Sequence, residues 1–453
     1  TGFCRLGSVK SNIGHLDTAA GVASLIKAGL AVKHGTIPAS LNFELPNPNL
    51  GLEESPFEIC SQAQEWVNAD GAPRRAGVNS LGVGGTNAHL IVEEPPQARP
   101  GTPSTRKHHL LPLFAQSRGA LDDGCARLAH YLRENPEADL ADVSWTLITG
   151  RQRFPRGRIL ACRDRDEAIE WLESRDPKRI HDHVRADSAS LVFMFPGGGA
   201  HYPNMARGLY ETEPVFRDVI DRGVRILADR IGVDFFEFFL AEEKEEEQVA
   251  AKFLRMSHQL PAIFLVEYGL AELWLSRGVK PSALIGHSVG ENAAACVAGV
   301  LSFEDALSLV LLRGQLFEKV SGGGMLAVGL PPEEIEGRLP PELELAAVNA
   351  PELSVVSGPD DAISTLEKRL EAEELFPQRL AIPVAAHSRM LEPILDEFRG
   401  FLEGISLSAP QIPLVSNLTG TWMTPEQAMS PGYWSDHLRG RVRFSEGMST
   451  LLE

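Results

Sequence analysis

The chain has 453 residues, 43% of them hydrophobic and 23% charged, enough for about three domains of ordinary globular composition. A formal net charge of −18 with 7% aromatics excludes a nucleic-acid platform or an anionic-membrane partner, since phosphate binding needs clustered Lys and Arg. Five scattered cysteines without C-x-x-C spacing exclude a disulfide framework or zinc site and suit a reducing cytosol. No signal peptide is visible, and no apolar run approaches the roughly 18 residues a membrane span requires. The chain starts at Thr1, inside a motif, so a fragment of a longer protein is expected.

From the N-terminus, Gly21 to His34 is apolar at helical spacing (Val22, Leu25, Ile26, Leu30, Ala31), and Gly35 suits the helix end. His89 to Val92 reads as a strand that closes a first segment, 1–95. The run P-P-Q-A-R-P-G-T-P-S-T-R from Pro95 to Arg106 is the clearest linker signal. Leu110 to Ala115 reads as a strand, followed by a helix with Ala120, Cys125, Leu128, Ala129 and Leu132 on one face. A helix at Asp142 to Thr149, a strand at Ile159 to Arg163 and a helix at Asp166 to Ser174 complete a small α/β module, 96–189. A third segment, 190–453, opens with the apolar strand Leu191 to Phe195 and Pro196-Gly197-Gly198-Gly199. It continues with a long apolar helix at Gln259 to Trp274, a buried strand at Ala283 to Ile285, and helices at Glu291 to Val300 and Phe303 to Val320. Glu242 to Glu247, E-E-K-E-E-E, is a solvated loop or helix face. Between about 322 and 383 the order β-α-β-β-α-β is the ferredoxin-like signature.

The chemistry lies in Gly286-His287-Ser288-Val289-Gly290, a G-x-S-x-G turn between a strand and a helix. Glycines permit the strained turn that pushes a serine hydroxyl out at a helix N-terminus, where the helix dipole and the next amide face a developing oxyanion. Such a serine needs a base, and His387 and His437 are the downstream candidates; His387, among small residues that leave room for a ligand, is preferred. Arg313 sits on an apolar helix, where a buried guanidinium calls for an anionic partner such as a carboxylate. A structural ion pair or snorkelling at the helix end is the plainer alternative.

Six motifs then occur in an order and spacing that resemble malonyl-type acyltransferases: Phe195 to His201, Gly286 to Glu291, Arg313, Val348-Asn349-Ala350-Pro351, Ala386-His387-Ser388 and Ser416 to Gly420. Gly7 to His15 and Asn79 to His89 resemble the C-terminal part of a ketosynthase, and 96–189 the linker that follows it in modular type I polyketide synthases. The resemblance implies an α/β fold: an acyltransferase with an α/β-hydrolase-like large subdomain and a ferredoxin-like small one, preceded by the linker module and part of a thiolase-like domain. It implies transfer of a carboxyacyl group from coenzyme A, through an ester on Ser288 with His387 as base, to the phosphopantetheine thiol of an acyl carrier protein. The Val289 and Gly198 amides would hold the oxyanion, and Arg313 the free carboxylate. Gln259, Ala386 and His201 would line the substrate, and the main-chain carbonyl of Asn417 would orient His387. Lys10 and His15 would be ketosynthase remnants that make no bonds alone, since the nucleophilic Cys and first catalytic His are absent. No metal or bound cofactor is expected. The partners would be the carrier protein and the missing ketosynthase half, in a cytoplasmic synthase whose full form allows a homodimer. Malonyl is favoured, with methylmalonyl tolerated, because Val289 and Ala386 are small.

The departures from the family are Gly198 and His201 where Gln is usual, Asn292 where an aromatic is common, Val384-Ala385-Ala386-His387 in the selectivity box, and Leu81 for Phe. Glu453 comes before the last strand and helix of such domains. The competing readings are a serine hydrolase of α/β-hydrolase type, which would want an acid between Ser288 and His387, and a non-catalytic scaffold.

Overall fold

The fold comes from a computed structural model that describes residues 2–68, 71–96, 104–186, 190–320 and 322–453. Residues 97–103 of the expected linker lie outside the described residues. The chain forms two compact units, 1–105 with 138–145, and 106–137 with 146–453.

In the first unit the expected helix, α1, runs Ala20–His34, and Gly35 ends it at φ 61° with its N–H on Ala31 and Val32 carbonyls. A left-handed residue there is the ordinary way to satisfy orphan carbonyls. Strands β1 (Arg75–Leu81) and β2 (Asn87–Glu93) pair antiparallel as a hairpin.

The second unit opens with the small α/β module. Strand β3 (His109–Ala115) pairs antiparallel with β4 (Arg156–Cys162). The helix between them, α2 (Arg118–Glu134), buries Leu121, Cys125, Ala129 and Leu132, so the apolar face is the expected one, with Leu121 replacing the exposed Ala120. Helix α3 (Arg165–Ser174) follows, and a third strand, β5 (Ile180–Val184), joins β4. The acidic run near 245 is exposed, as its charge requires.

Three strands position the site. Strands β6 (Val192–Phe195), β7 (Ala283–Gly286) and β8 (Leu414–Val415) form a parallel sheet with β7 in the middle. Phe195 pairs with Gly286, so the Gly197-Gly198 loop and the Ser288 turn leave the sheet side by side at its carboxyl end. In open α/β sheets that end is where ligands bind. Helix α4 (Met256–Ser276) is apolar on nearly every face and fully buried over its first ten residues, from Met256 to Leu265. It packs against α5 (Phe303–Phe317), so closely that a side chain on Gly314 would meet the Met256 carbonyl at 2.4 Å.

The inserted piece is a four-stranded antiparallel sheet, here β9 (Gly323–Val328), β10 (Glu344–Ala350), β11 (Leu353–Pro359) and β12 (Gln378–Arg379), in spatial order β10-β11-β9-β12. Its own core gathers Leu326, Val356, Ile363, Leu366 and Leu370. The ferredoxin-like order read from the sequence is therefore the one observed.

Candidate active site

Ser288 stands between β7 and α6 (Val289–Val297) at φ 54°, ψ −114°. A residue with a Cβ holds such a conformation only under constraint, at about 1–3 kcal/mol. The glycines around it supply the constraint. A Cβ on Gly286 would lie 2.1 Å from the Glu291 nitrogen, and one on Gly290 would lie 2.3 Å from the Phe195 carbonyl. Strand, turn and helix can approach this closely only with glycine at both positions.

The Ser288 hydroxyl has two partners. His387 Nε2 lies 2.7 Å from Oγ, and Arg313 Nη2 donates to Oγ at 2.7 Å. His387 Nδ1 donates to the Gly440 carbonyl at 2.8 Å, which leaves Nε2 as acceptor for the serine proton. Burial, then the nearby Arg313 charge and His287, push the His387 pKa down to about 3. The imidazole is thus neutral, the state a general base requires. His437 lies on α7 (Pro431–Arg439) with its ring centroid 6.3 Å from that of His387. Its Nε2 points to Glu291 at 3.6 Å, so it does not meet Ser288.

Arg313 is 2% exposed and has no carboxylate within salt-bridge distance among the described residues. Its Nη1 donates to Asn292 Oδ1 at 3.2 Å, its guanidinium lies 5.4 Å from the Phe317 ring centroid, and its buried Nε is unpaired. Burial lowers its pKa to about 10, and the charge on Glu291 opposes that shift. The guanidinium therefore remains cationic at neutral pH, beside the Ser288 hydroxyl and short of an anion.

The other expected residues divide. Val289 opens α6, so its amide is at the helix N-terminus beside the serine. Gly197 packs on His287, and Gly198 faces Gln259, whose Oε1 would lie 3.3 Å from a Cβ there. Gln259 Nε2 lies 3.3 Å from His201 Nε2, so these two form a pair. Ala386 is buried next to His387, and its carbonyl accepts from Ser357 at 2.7 Å. Lys10 and His15 lie in the first unit, both exposed, with His15 Nδ1 accepting from the Asp17 amide. The expectation for Asn417 needs correction. Its carbonyl accepts from the Arg443 N–H at 2.7 Å and does not touch His387; Gly440 orients that ring. The physical reason is that the Asn417 carbonyl is taken by the Arg443 N–H, while the Gly440 carbonyl is the one within hydrogen-bond distance of the imidazole.

A family model for the acyl transferase domain matches residues 192–453, more than half of the chain. The chain belongs to the acyl transferase family. Residues 109–172 match a CurL-like polyketide synthase C-terminal model, and residues 1–44 the beta-ketoacyl synthase C-terminal domain. A phenolphthiocerol/phthiocerol polyketide synthase of Mycobacterium tuberculosis is 38% identical, over 99% of this chain and 31% of that protein. An erythronolide synthase of Saccharopolyspora erythraea is 36% identical, over 99% of this chain and 13% of its own. The chain thus spans about a third or less of these relatives. Among solved structures, the acyl transferase domain of ZmaA aligns at TM-score 0.69 and 38% identity, over 77% of this chain and 81% of that one. The acyl transferase domain of SpnD, solved in complex with 2-(pent-4-yn-1-yl)malonyl, aligns at 0.69 and 36%, over 76% and 82%.

The acyl transferase domain also holds residues that sequence reasoning missed. Glu291, in the first turn of α6 after Ser288, is wholly buried and accepts from the Asn417 amide at 2.6 Å and the Tyr433 hydroxyl at 2.5 Å. Burial pushes its pKa up to about 7, against the pull of Tyr433, Asn417 and Arg313. His287 Nε2 bonds Asn349 Oδ1 at 2.7 Å and so ties the serine turn to β10. Asn292 gave a signal, as a departure from the family pattern; its amide fits because it can accept from Arg313.

Proposed function

We propose that Ser288 and His387 are the nucleophile and base that carry a carboxyacyl unit of malonyl type from coenzyme A to the phosphopantetheine thiol of an acyl carrier protein. This would be the extender-loading step of a polyketide synthase. The observation that carries the reading is the Ser288 hydroxyl held at 2.7 Å by both a neutral imidazole and a buried guanidinium that lacks a carboxylate.

The chemistry follows from those contacts. The Ser288 proton passes to His387 Nε2 as Oγ attacks the thioester carbonyl. The oxyanion builds up toward the Val289 amide and the Gly198 loop. The C–S bond breaks, and His387 returns the proton to the departing coenzyme A thiol. The carrier thiol then gives its proton to His387, attacks the ester carbonyl, and Ser288 recovers its proton as the C–O bond breaks. The free carboxylate of the extender supplies the anion that Arg313 lacks. Transfer in place of hydrolysis also fits the absence of a side-chain carboxylate on His387 Nδ1, which bonds a main-chain carbonyl. Of extenders, malonyl is favoured and methylmalonyl tolerated, from the small Val289 and Ala386. The carrier protein and the remainder of a synthase are the partners this reading requires.

The test is intact mass after incubation with malonyl-CoA. A malonyl adduct on Ser288 is expected, lost in Ser288→Ala and formed at least about 100-fold more slowly in His387→Ala, the lower bound of what a positioned base contributes. An adduct that persists in Ser288→Ala defeats the assignment, and coenzyme A release without any adduct would favour a hydrolase.

A further inference from the structure

Asn417 uses every polar function it has, and each one serves the catalytic pair. Its Oδ1 accepts from the Ser288 N–H at 2.7 Å, and its Nδ2 donates to the Gly286 carbonyl at 2.6 Å. One side chain thereby spans the strained turn from the residue before His287 to the nucleophile itself. The Asn417 N–H donates to Glu291 Oε2 at 2.6 Å, which anchors it to the first turn of α6. The Asn417 carbonyl accepts from the Arg443 N–H at 2.7 Å. That last bond joins the segment 440–443, where the Gly440 carbonyl holds His387. In the same segment Val442 exchanges backbone hydrogen bonds with Ala346 and Val348 of β10, at 2.8 and 2.9 Å. Asn417 itself is 1% exposed, so water offers none of these bonds a substitute.

We propose that Asn417 is a positioning residue that sets the register between Ser288 and His387. Its side chain fixes the nucleophile, and its main chain fixes the segment that aims the base. This rests on the reading of Ser288 as acyl acceptor. The Ser288 backbone at φ 54°, ψ −114° is costly, and the two Asn417 side-chain bonds brace it there. Because the Ser288 N–H is spent on Asn417, the nucleophile's own amide is not free for the oxyanion, which leaves that task to Val289 and Gly198.

The experiment is single-turnover acylation of the full chain by malonyl-CoA, with the adduct amplitude counting competent sites. For Asn417→Ala the rate per competent site should fall about 100-fold, the loss expected from a misplacement near 1 Å. KM for malonyl-CoA and the preference for malonyl-CoA over acetyl-CoA, which Arg313 sets, should stay within about three-fold of wild type. The nearly isosteric Asn417→Asp keeps the acceptor for Ser288 but loses the donor to Gly286. The ratio of its rate per site to that of wild type should rise as pH falls and the new carboxyl gains a proton to donate; Glu291, raised to about 7 and bonded to the residue 417 N–H, titrates in both proteins and cancels in that ratio. A structural role alone would lower the amplitude or the melting temperature and leave the rate per competent site at the wild-type value. That result in either variant overturns the proposal. If wild type itself takes no acyl group on Ser288, the proposed function has failed as well; if wild type loads normally and both variants match it, only the role of Asn417 has.

Discussion

Arg313 is held at a cost that the fold does not recover. It is buried among Asn292, Ser288 and Phe317, with its Nε unpaired, and Glu291 is the opposing charge that raises its pKa. A buried cation without a carboxylate is destabilising, and an apolar replacement of similar volume is often neutral or better. Arg313→Met should therefore melt at the wild-type temperature or above it. The same variant should lose malonyl loading by about 10- to 100-fold, the worth of a charge-assisted hydrogen bond of roughly 1.5–3 kcal/mol. Acetyl-CoA loading should change little. Thermal melting beside self-acylation with both thioesters checks this. If Arg313→Met melts far lower and treats the two thioesters as wild type does, the arginine is structural.

At the scale of elements, the serine turn depends on three segments converging on glycine. Gly290→Ala puts a methyl 2.3 Å from the Phe195 carbonyl and 2.4 Å from that of Pro196, backbone atoms of β6 and its loop that cannot rotate away. Overpacking of this kind costs about 1–3 kcal/mol, and the strand–helix spacing must open. Urea unfolding should show that loss together with slower acylation, whereas Gly208→Ala, in an open helical position with nothing within 4 Å, should be neutral or slightly stabilising. Equal effects from both would mean the close approach is unimportant. This turn was legible in the sequence because its signals are local: an apolar strand, G-x-S-x-G and a helical run lie within about twenty residues. The ferredoxin-like order was legible for the same reason, its strands and helices alternating at short intervals. Asn417 was misread because its partners stand 126 to 131 residues away, and nothing local distinguishes a side chain that bonds Gly286 from a carbonyl that bonds a histidine. Strand β5 was missed because I-H-D-H-V carries three polar residues and is mostly exposed at the sheet edge. The choice of His387 over His437 rested on the small residues around it; both rings are buried, and of the two His387 is the one within hydrogen-bond distance of Ser288 Oγ.

Across the whole molecule, buried histidines and buried carboxyls pull stability in opposite directions with pH. Burial lowers the pKa of His201, His258, His287, His387 and His437 from the ordinary 6.5. Below about pH 6.5 the unfolded chain binds protons on these rings that the native chain refuses, so stability rises with pH through that window. Glu267, buried in α4 with both oxygens unpaired, and Glu291, raised to about 7, act the other way. The native chain keeps their protons above the ordinary 4.5, and stability is lost as pH rises through their native values. Between about pH 4.5 and 6.5 the strongly lowered His387 and His437 stand against Glu267 and Glu291, and the smaller lowering of His201, His258 and His287 tips the slope positive; a fully unmatched proton is worth about 1.4 kcal/mol per pH unit. Carboxylates paired with arginines, such as Asp182 with Arg158 and Glu304 with Arg222, have lowered pKa values and add the same sign at still lower pH. Above 6.5 the unfolded rings lose their remaining protons and the histidine contribution fades, while the carboxyls still pull downward, so the slope turns shallow. Urea midpoints measured from pH 5 to 8 should therefore climb steeply to about 6.5 and then level or decline slightly. A steady decline from pH 5 upward would mean that Glu267 and Glu291 outweigh the buried histidines and would overturn this balance.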